Sequence, residues 1–337
     1  MDGTGEEAHP PESVDDEAAP DAHQPACLVS VVVLSYNSEG TIRRCLDSLL
    51  GQRTDLEFEV LVVDSSRDST ARIVAGEYPR AKLIHLDRRT LPGAARNIGI
   101  RNATGSVIAF LASDCVASTD WLELRFRSHQ AGFTGVGGAI TNANPESIVG
   151  WANYFMEYLF CLPSRPREVI KDKVIHNLSY KREIFARLGL FPTHLEVGED
   201  TVFNRRMMLH GEPVLFEPQV LTGHINPTSV GPFVTHQYRH GLDFARACQR
   251  GELAFFRIRE TPLGKVLGLY HALVRYPLLR IKSSFRVVAR QEPRSLPRLL
   301  ACLPWLVLGV LSAARGATAG LYGRAPEATA VFREELS

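Results

Sequence analysis

A chain of 337 residues has room for one large α/β domain with appendages, or for two small domains. With 45% hydrophobic and 22% charged residues it has the composition of a folded globular protein, and a net charge of +1 gives no general attraction to nucleic acid. The charge is unevenly placed. Residues 1–26 hold Asp2, Glu6, Glu7, Glu12, Asp15, Asp16, Glu17 and Asp21 and neither Lys nor Arg. Such a segment has too few large apolar side chains to offset its ordering entropy, so it is expected to be a disordered tail. It also lacks the basic start and apolar run of a secretory signal. Cys27, Cys45, Cys115, Cys161, Cys248 and Cys302 are scattered without a C-x-x-C pair, which points to free thiols in a reducing compartment.

Leu28–Leu34 (LVSVVVL) is an apolar, β-branched run of the kind found in a strand buried on both faces. A helix is expected next, with Ser38 as N-cap, Gly51 as stop, and an apolar stripe of Ile42, Cys45, Leu46, Leu49 and Leu50. Phe58–Val63 and Lys82–Leu86 suit strands, Arg96–Ala103 a helix, and Ser106–Leu111 a fourth strand. Strand alternating with helix implies a mostly parallel sheet flanked by helices. Further on, Val136–Ile140 and Val174–Tyr180 suit strands, and Lys181–Leu188 and Gly198–His210 suit helices. Val214–Phe216 and Val220–His224 suit two short strands.

The character changes from about Leu263. Leu299–Ala314 holds 16 residues without a charge, short of the roughly 20 that span a bilayer, and Pro304 interrupts it. Leu263–Ile281 sets Lys265, Arg275 and Arg280 among Leu, Val and Tyr, the pattern of an interfacial amphipathic helix. Both stretches, Leu263–Ile281 and Leu299–Tyr322, are expected to lie on a membrane surface, the alternative being helices packed on the main domain. The expected division is a tail over 1–26, a main domain over 27–245 and a helical, membrane-associated region over 246–337.

In parallel sheets, ligands bind beyond the carboxyl ends of the strands. Polar residues collect there: Ser35, Tyr36 and Asn37 after the first strand, Asp64 after the second, and Ser113 and Asp114 after the fourth. Asp64 can accept hydrogen bonds from a nucleotide's base or ribose, or cap its own turn through Ser65 and Ser66. Tyr36 can offer its ring to a base. Glu199-Asp200 falls at a helix start, where the dipole favours an ionised carboxylate. No G-x-G-x-x-G follows the first strand, which argues against a dinucleotide oxidoreductase.

The succession SVVVLSYN, VLVVDSSRDST, GAARNIGIRNATGSVIAFLASD, HNLSYKREIFARLGLF and GEDTVFNRRMMLHG resembles glycosyltransferase family 2 over residues 28–241, in order and with natural spacing. The resemblance implies a GT-A, Rossmann-like nucleotide-binding domain over 27–245 and an inverting transfer from a nucleotide-sugar to an acceptor hydroxyl, the acceptor being a lipid-linked or cell-envelope glycan. It implies a divalent cation (Mg or Mn) bound by Asp114 and His224, with Asp200 as general base and Glu199 orienting the acceptor. Arg96 would lie near phosphate or carboxylate, Asn177 near the donor pocket, and Gly138 in a small-residue passage beside the donor sugar. Arg239 stands near an acceptor-end motif and would contact phosphate. The sequence departs from the family at Ala112, where the first acid of the metal motif D-x-D is replaced. That loss leaves a second reading open, a catalytically silent protein that binds a nucleotide-sugar or a protein partner. With the apolar C-terminal stretches, the expected location is the cytoplasm, peripheral on the inner face of the plasma membrane.

Overall fold

The computed structural model describes residues 28–170, 177–250 and 261–322. The acidic stretch 1–26, Cys27 and the first three residues of the strand expected over Val174–Tyr180 lie outside the described residues. The first half alternates as read: β1 (Val29–Ser35), α1 (Ile42–Leu50), β2 (Phe58–Asp64), α2 (Thr70–Glu77), β3 (Ala81–His85), α3 (Pro92–Asn102) and β4 (Val107–Ala112). Val31, Val32 and Val33 are fully buried, as a two-sided apolar strand requires, and Ile42, Cys45, Leu46 and Leu49 form the buried face of α1. Gly51 ends that helix, but Ser38 does not cap it: the helix starts at Ile42, and the Ser38 hydroxyl turns instead to Ser113.

The second half runs β5 (Cys115–Ala117), α4 (Trp121–Gln130), β6 (Gly135–Asn142), α5 (Ile148–Glu157), β7 (Glu168–Ile170), β8 (Ser179–Lys181), α6 (Glu183–Leu188), α7 (Glu199–Leu209) and β9 (Val214–His224). The sheet order is β3-β2-β1-β4-β8-β6-β9-β5, with β7 on β9. Strands β1 to β4 pair in parallel, as do β6 and β9, whereas β8 runs antiparallel to both β4 and β6 and β5 antiparallel to β9. The carboxyl ends of β1, β2, β4, β6 and β9 therefore reach one edge, and the order reverses between β1 and β4, the place where such sheets open a crevice.

The two short strands expected over 214–224 are one strand with a bulge. Register passes from Gly138 opposite Glu217 to Ala139 opposite Leu221, so three residues of β9 loop out. Gly138 makes this possible, since a Cβ there would lie 2.1 Å from the Val220 carbonyl oxygen. Gly138→Ala is expected to destabilise the fold by about 1–3 kcal/mol, the usual cost of overpacking, read as a shift in the urea midpoint. Unchanged stability would mean that the bulge relaxes freely.

The C-terminal helices are α8 (Val230–Gln249), α9 (Pro262–Tyr270), α10 (Tyr276–Gln291), α11 (Leu296–Ala301) and α12 (Leu303–Tyr322), with a π-helical turn over His271–Arg275 joining α9 to α10. The expected boundary at 245–246 falls inside α8. Leu299, Cys302, Leu306 and Val310 share one buried core with the sheet. Leu299–Tyr322, the end of α11 and all of α12, thus packs on the domain for much of its length: Leu306, Val310, Ala313 and Ala314 are buried, and the Ser312 hydroxyl donates to the Val234 carbonyl at 2.8 Å. Trp305 packs against the same core. Among the described residues no single helix is long and apolar enough to cross a membrane; Pro293–Ala301 and Leu303–Tyr322 meet that requirement of length and hydropathy only together, bent by 75°. The first stretch differs. Leu263, Val266, Leu267 and Leu278 are exposed, each by more than half of its surface.

Candidate active site

Asp114 follows β4 in the turn that leads into β5, and the pairing of β5 with β9 sets Cys115 opposite His224. The Ile225 N–H donates to the Asp114 carbonyl at 2.8 Å, which fixes the two chain segments together. The Asp114 carboxylate and His224 Nε2 stand 3.4 Å apart. With the Cys115 thiol they form a group whose ligand atoms lie within 4.8 Å of one another. Although desolvation opposes it, His224 keeps the Asp114 carboxyl below the usual carboxylate range. Burial disfavours the His224 imidazolium, yet Asp114 and Asn226 together raise its pKa. Cys115 is buried and its thiol is held well above its ordinary value, so it stays protonated.

A set of asparagines that sequence reading did not single out holds His224 in place. The Asn226 side-chain oxygen faces His224 Nδ1 at 3.0 Å and accepts from Asn153 at 2.8 Å, while its amide donates to Asn142 and to the His224 carbonyl. With Nδ1 donating to Asn226, Nε2 is the nitrogen that faces Asp114 and, once deprotonated, can share a cation with it, the arrangement that orients a metal-ligating histidine. Asn144 fixes Asn226 through both backbone groups, at 2.8 and 2.9 Å. The chain continues through Gln237, whose amide donates to Asn153 at 3.0 Å and to Glu157 at 2.7 Å. The signal was Asn142-x-Asn144 and His224-x-Asn226, which reads as ordinary turn chemistry in a bare sequence.

The donor set suits a small hard cation. One carboxylate and one neutral imidazole give two ligands, and oxygens of a bound diphosphate can supply more, which is how Mg2+ and Mn2+ are commonly held. The protonated Cys115 thiol is not a ligand for such an ion. Its sulfur lies 3.7 Å from Asp114 Oδ1 and from the Asn177 amide, so it lines the site and steadies it.

Asn177 has φ of 51°, and its carbonyl accepts from Arg125 at 2.6 Å. Arg125 is fully buried, also donates to the Val136 carbonyl, and lies 4.0 Å from the Trp121 ring. Burial lowers its pKa to about 9. It is a positioning residue behind the site.

At the β1–β4 reversal the Ser38 and Ser113 hydroxyls meet at 2.6 Å, and Asn37 adopts φ of 51° while its side chain accepts from the Arg67 N–H. The Ser35 hydroxyl is buried and has no hydrogen-bond partner among the described residues. Tyr36 is 46% exposed, with the Arg89 guanidinium 5.3 Å from its ring. Asp64 is fully buried. Its oxygens accept from the Ser66 hydroxyl at 2.5 Å and face His85 Nδ1 at 2.8 Å, so in this structure Asp64 holds its own turn.

A second cluster gathers at the start of α7. Gly198, at φ 86°, turns the chain so that Glu199 and Asp200 occupy the first turn. Glu199 pairs with Arg96 of α3 at 3.0 Å, and Arg96 lies over the rings of Phe110 and Phe191. Arg96, expected near phosphate or carboxylate, thus meets the Glu199 carboxylate. Burial and Asp200 raise the Glu199 carboxyl, against the pull of Arg96. Asp200 is half-buried, and its Oδ1 accepts from the Thr201 N–H at 2.7 Å.

Two expected residues sit elsewhere. Gly138 packs against Val220 within the sheet. Arg239 is exposed on α8, because helical spacing puts Phe233, Gln237 and Gly241 on the inner face and Arg239 some 200° away from Gln237.

Carboxylates and an imidazole gathered at the open edge of a nucleotide-binding type of sheet define a GT-A transferase fold. The mannosyltransferase PcManGT from Pyrobaculum calidifontis, solved in complex with GDP-Man and Mn2+, shares it with a TM-score of 0.56 over 91% of this chain and 90% of that chain, at 21% identity. The family model "Glycosyl transferase family 2" matches residues 30–205, and the chain belongs to that family. It is 28% identical to "Glycosyltransferase AglE" of Haloferax volcanii over 250 residues, 72% of this chain and 78% of the relative. It is 35% identical to "Succinoglycan biosynthesis protein ExoO" of Rhizobium meliloti over 205 residues, 56% of this chain and 58% of the relative. The protein is accordingly a glycosyltransferase.

Proposed function

We propose that the protein moves a sugar from a nucleoside diphosphate sugar to an acceptor hydroxyl, with inversion at the anomeric carbon. The observation that carries this reading is the meeting of Asp114 and His224 on adjacent strand ends, on the sheet whose α3–α7 corner holds Arg96, Glu199 and Asp200. Asp114 and His224 would hold a divalent cation, which when bound neutralises charge on the departing diphosphate. Asp200 takes the proton of the acceptor hydroxyl as that oxygen attacks the anomeric carbon. Glu199, fixed by Arg96, orients the acceptor. Ser35, Tyr36, Asn37 and Ser113 border the β1–β4 crevice, where the nucleotide fits. Asp64 reaches the base only if its Ser66 hydrogen bond is exchanged for one to the ligand.

Release of nucleoside diphosphate from a panel of nucleotide-sugars tests the reading against a silent binding protein. Turnover is expected with manganese and is expected to fall sharply in chelator. Binding without any turnover, across sugars and acceptors, would support the silent alternative.

The acceptor is a lipid-linked or cell-envelope glycan, and the protein works on the cytoplasmic face of a membrane. The support is the outward face of α9, the π-turn and α10, where Leu263, Val266, Leu267, Tyr270, Leu273 and Leu278 are exposed. Residues 261–300 also carry Lys265, Arg275, Arg280, Lys282, Arg286, Arg290, Arg294 and Arg298 against one acid, Glu292. An exposed apolar face on a segment of net positive charge suits an anionic bilayer surface, at about 1 kcal/mol per basic residue near it. Full-length protein is expected to float with anionic liposomes and to be partly released by high salt, whereas L267E/L278E leaves it in the soluble fraction. Equal flotation of that variant would contradict the placement.

A further inference from the structure

Behind the metal-ligating cluster lies a cavity of about 400 Å³, within the size range of small-molecule sites. Its walls come from α5, α8, the π-turn, α10 and α12. One end is polar: Glu157, Gln237 and His240 line it. Gln237 is hydrogen-bonded to Asn153, which donates to Asn226, which holds His224. Tyr158, next to Glu157, packs its ring 4.8 Å from that of His224. The polar end is thus one layer of side chains from Asp114 and His224.

The remainder of the lining is largely apolar, with Met156, Phe244, Ala313 and Ala317 on one side and Ala272 and Tyr276 on the other. Ala272, Tyr276 and Arg280 are spaced four apart, so the π-turn and α10 turn one face to the cavity. The other face of the same segment carries exposed Leu273, Val274 and Leu278. This wall, apolar on its outer side and carrying His271 and Arg280 on its cavity side, separates the cavity from the surface read above as membrane-facing. Tyr276, 37% exposed, stands between the two. The π-turn widens the helix at this point, and such turns are frequent at functional sites. Arg280 is half-buried at the cavity wall and enters none of the ion pairs among the described residues. It offers a guanidinium fork for an oxyanion.

We propose that this cavity binds the phosphate-bearing apolar stem of an amphiphilic acceptor: the hydrocarbon lies between Phe244, Ala317 and Tyr276, the phosphate meets Arg280, and the hydroxyl-bearing head extends past Glu157 and Gln237 toward the reaction centre. The proposal rests on the transferase reading and narrows its acceptor to a lipid phosphate. At the other end the Glu157 carboxylate, already faced by His236 at 3.6 Å and His240 at 3.8 Å, is placed to accept from hydroxyls of the head.

Isothermal titration of the full-length protein with decyl phosphate, below its micellar concentration, tests it beside decyl glucoside and inorganic phosphate. Decyl phosphate is expected to bind at least about tenfold more tightly than either, since a charge-assisted hydrogen bond and the apolar chain both contribute. Ala317→Trp fills the cavity and should weaken decyl phosphate at least about tenfold, with nucleoside diphosphate binding in manganese changed by no more than about twofold. Arg280→Gln, at a half-buried site the fold should tolerate, should bring decyl phosphate down to the level of decyl glucoside. Absence of decyl phosphate binding, equal binding of the neutral glucoside, or wild-type binding in both variants would overturn the assignment. Nucleoside diphosphate titrated into the same samples separates the two readings. If it binds while decyl phosphate does not, only the cavity assignment falls; if decyl phosphate alone binds, it is the transferase reading that fails.

Discussion

Replacing Asp200 by asparagine is expected to lower turnover by about 10²–10⁴-fold while nucleotide-sugar affinity stays within a few-fold of wild type. The size follows from the role. A general base removes the proton as the acceptor oxygen attacks, and an amide of the same shape cannot, so the loss falls on the chemical step, about 3–5 kcal/mol in barrier. The geometry makes the test clean: Asp200 sits in the first turn of α7, and the salt bridge to Arg96 belongs to Glu199. Glu199→Gln should behave differently. It leaves the buried Arg96 without its charge partner, so some loss of stability is expected together with loss of activity. Single-turnover rates and urea midpoints on both variants distinguish the roles. Near-normal turnover in Asp200→Asn would remove Asp200 as the base.

Asp114→Ala is expected to weaken nucleoside diphosphate binding in manganese by at least about 10²-fold, with little change in chelator. With Ala at position 112, Asp114 supplies the carboxylate of the cluster, and His224 alone is a poor site for Mg2+ or Mn2+. Asn226→Ala, which frees His224 Nδ1 and rotates the ring out of register, should lower metal affinity about 10–100-fold, the usual effect of losing a group that orients a ligand. Titration calorimetry of the three proteins at fixed manganese checks both. If Asp114→Ala binds as tightly as wild type, the cation is held elsewhere.

Much of the first half of the fold was legible because periodicity there has one interpretation. The valines of β1 and the stripe on α1 leave little choice. The second half was harder, since β8 spans Ser179–Lys181 and takes its place through pairing with β4 and β6 rather than through its own pattern. The bulge of β9 was invisible for a similar reason: Pro218 reads as a break, yet the strand resumes once Gly138 lets the Val220 carbonyl close in.

In the site, Asp114, His224, Glu199 and Asp200 could be read from motif position. The asparagine network, Glu157 and Gln237 could not, because hydrogen bonds across 73 to 84 residues leave no local trace. That the carboxylate beside Arg96 belongs to Glu199, 103 residues on, leaves no local trace either. Arg239 was misplaced for a local reason that helical phase exposes: one position decides between the buried face of α8 and solvent. In Leu299–Tyr322, hydropathy suggested lipid where α8 and the core supply the apolar partner.

The most direct measurement of the central claim is a calorimetric titration of the wild-type protein with nucleoside diphosphates, in manganese and again in chelator. The structure predicts that at least one nucleoside diphosphate binds in manganese and loses most of its affinity in chelator. Equal affinity in the two conditions would contradict a cation at Asp114 and His224. Failure of every nucleoside diphosphate to bind in manganese would contradict the donor site itself.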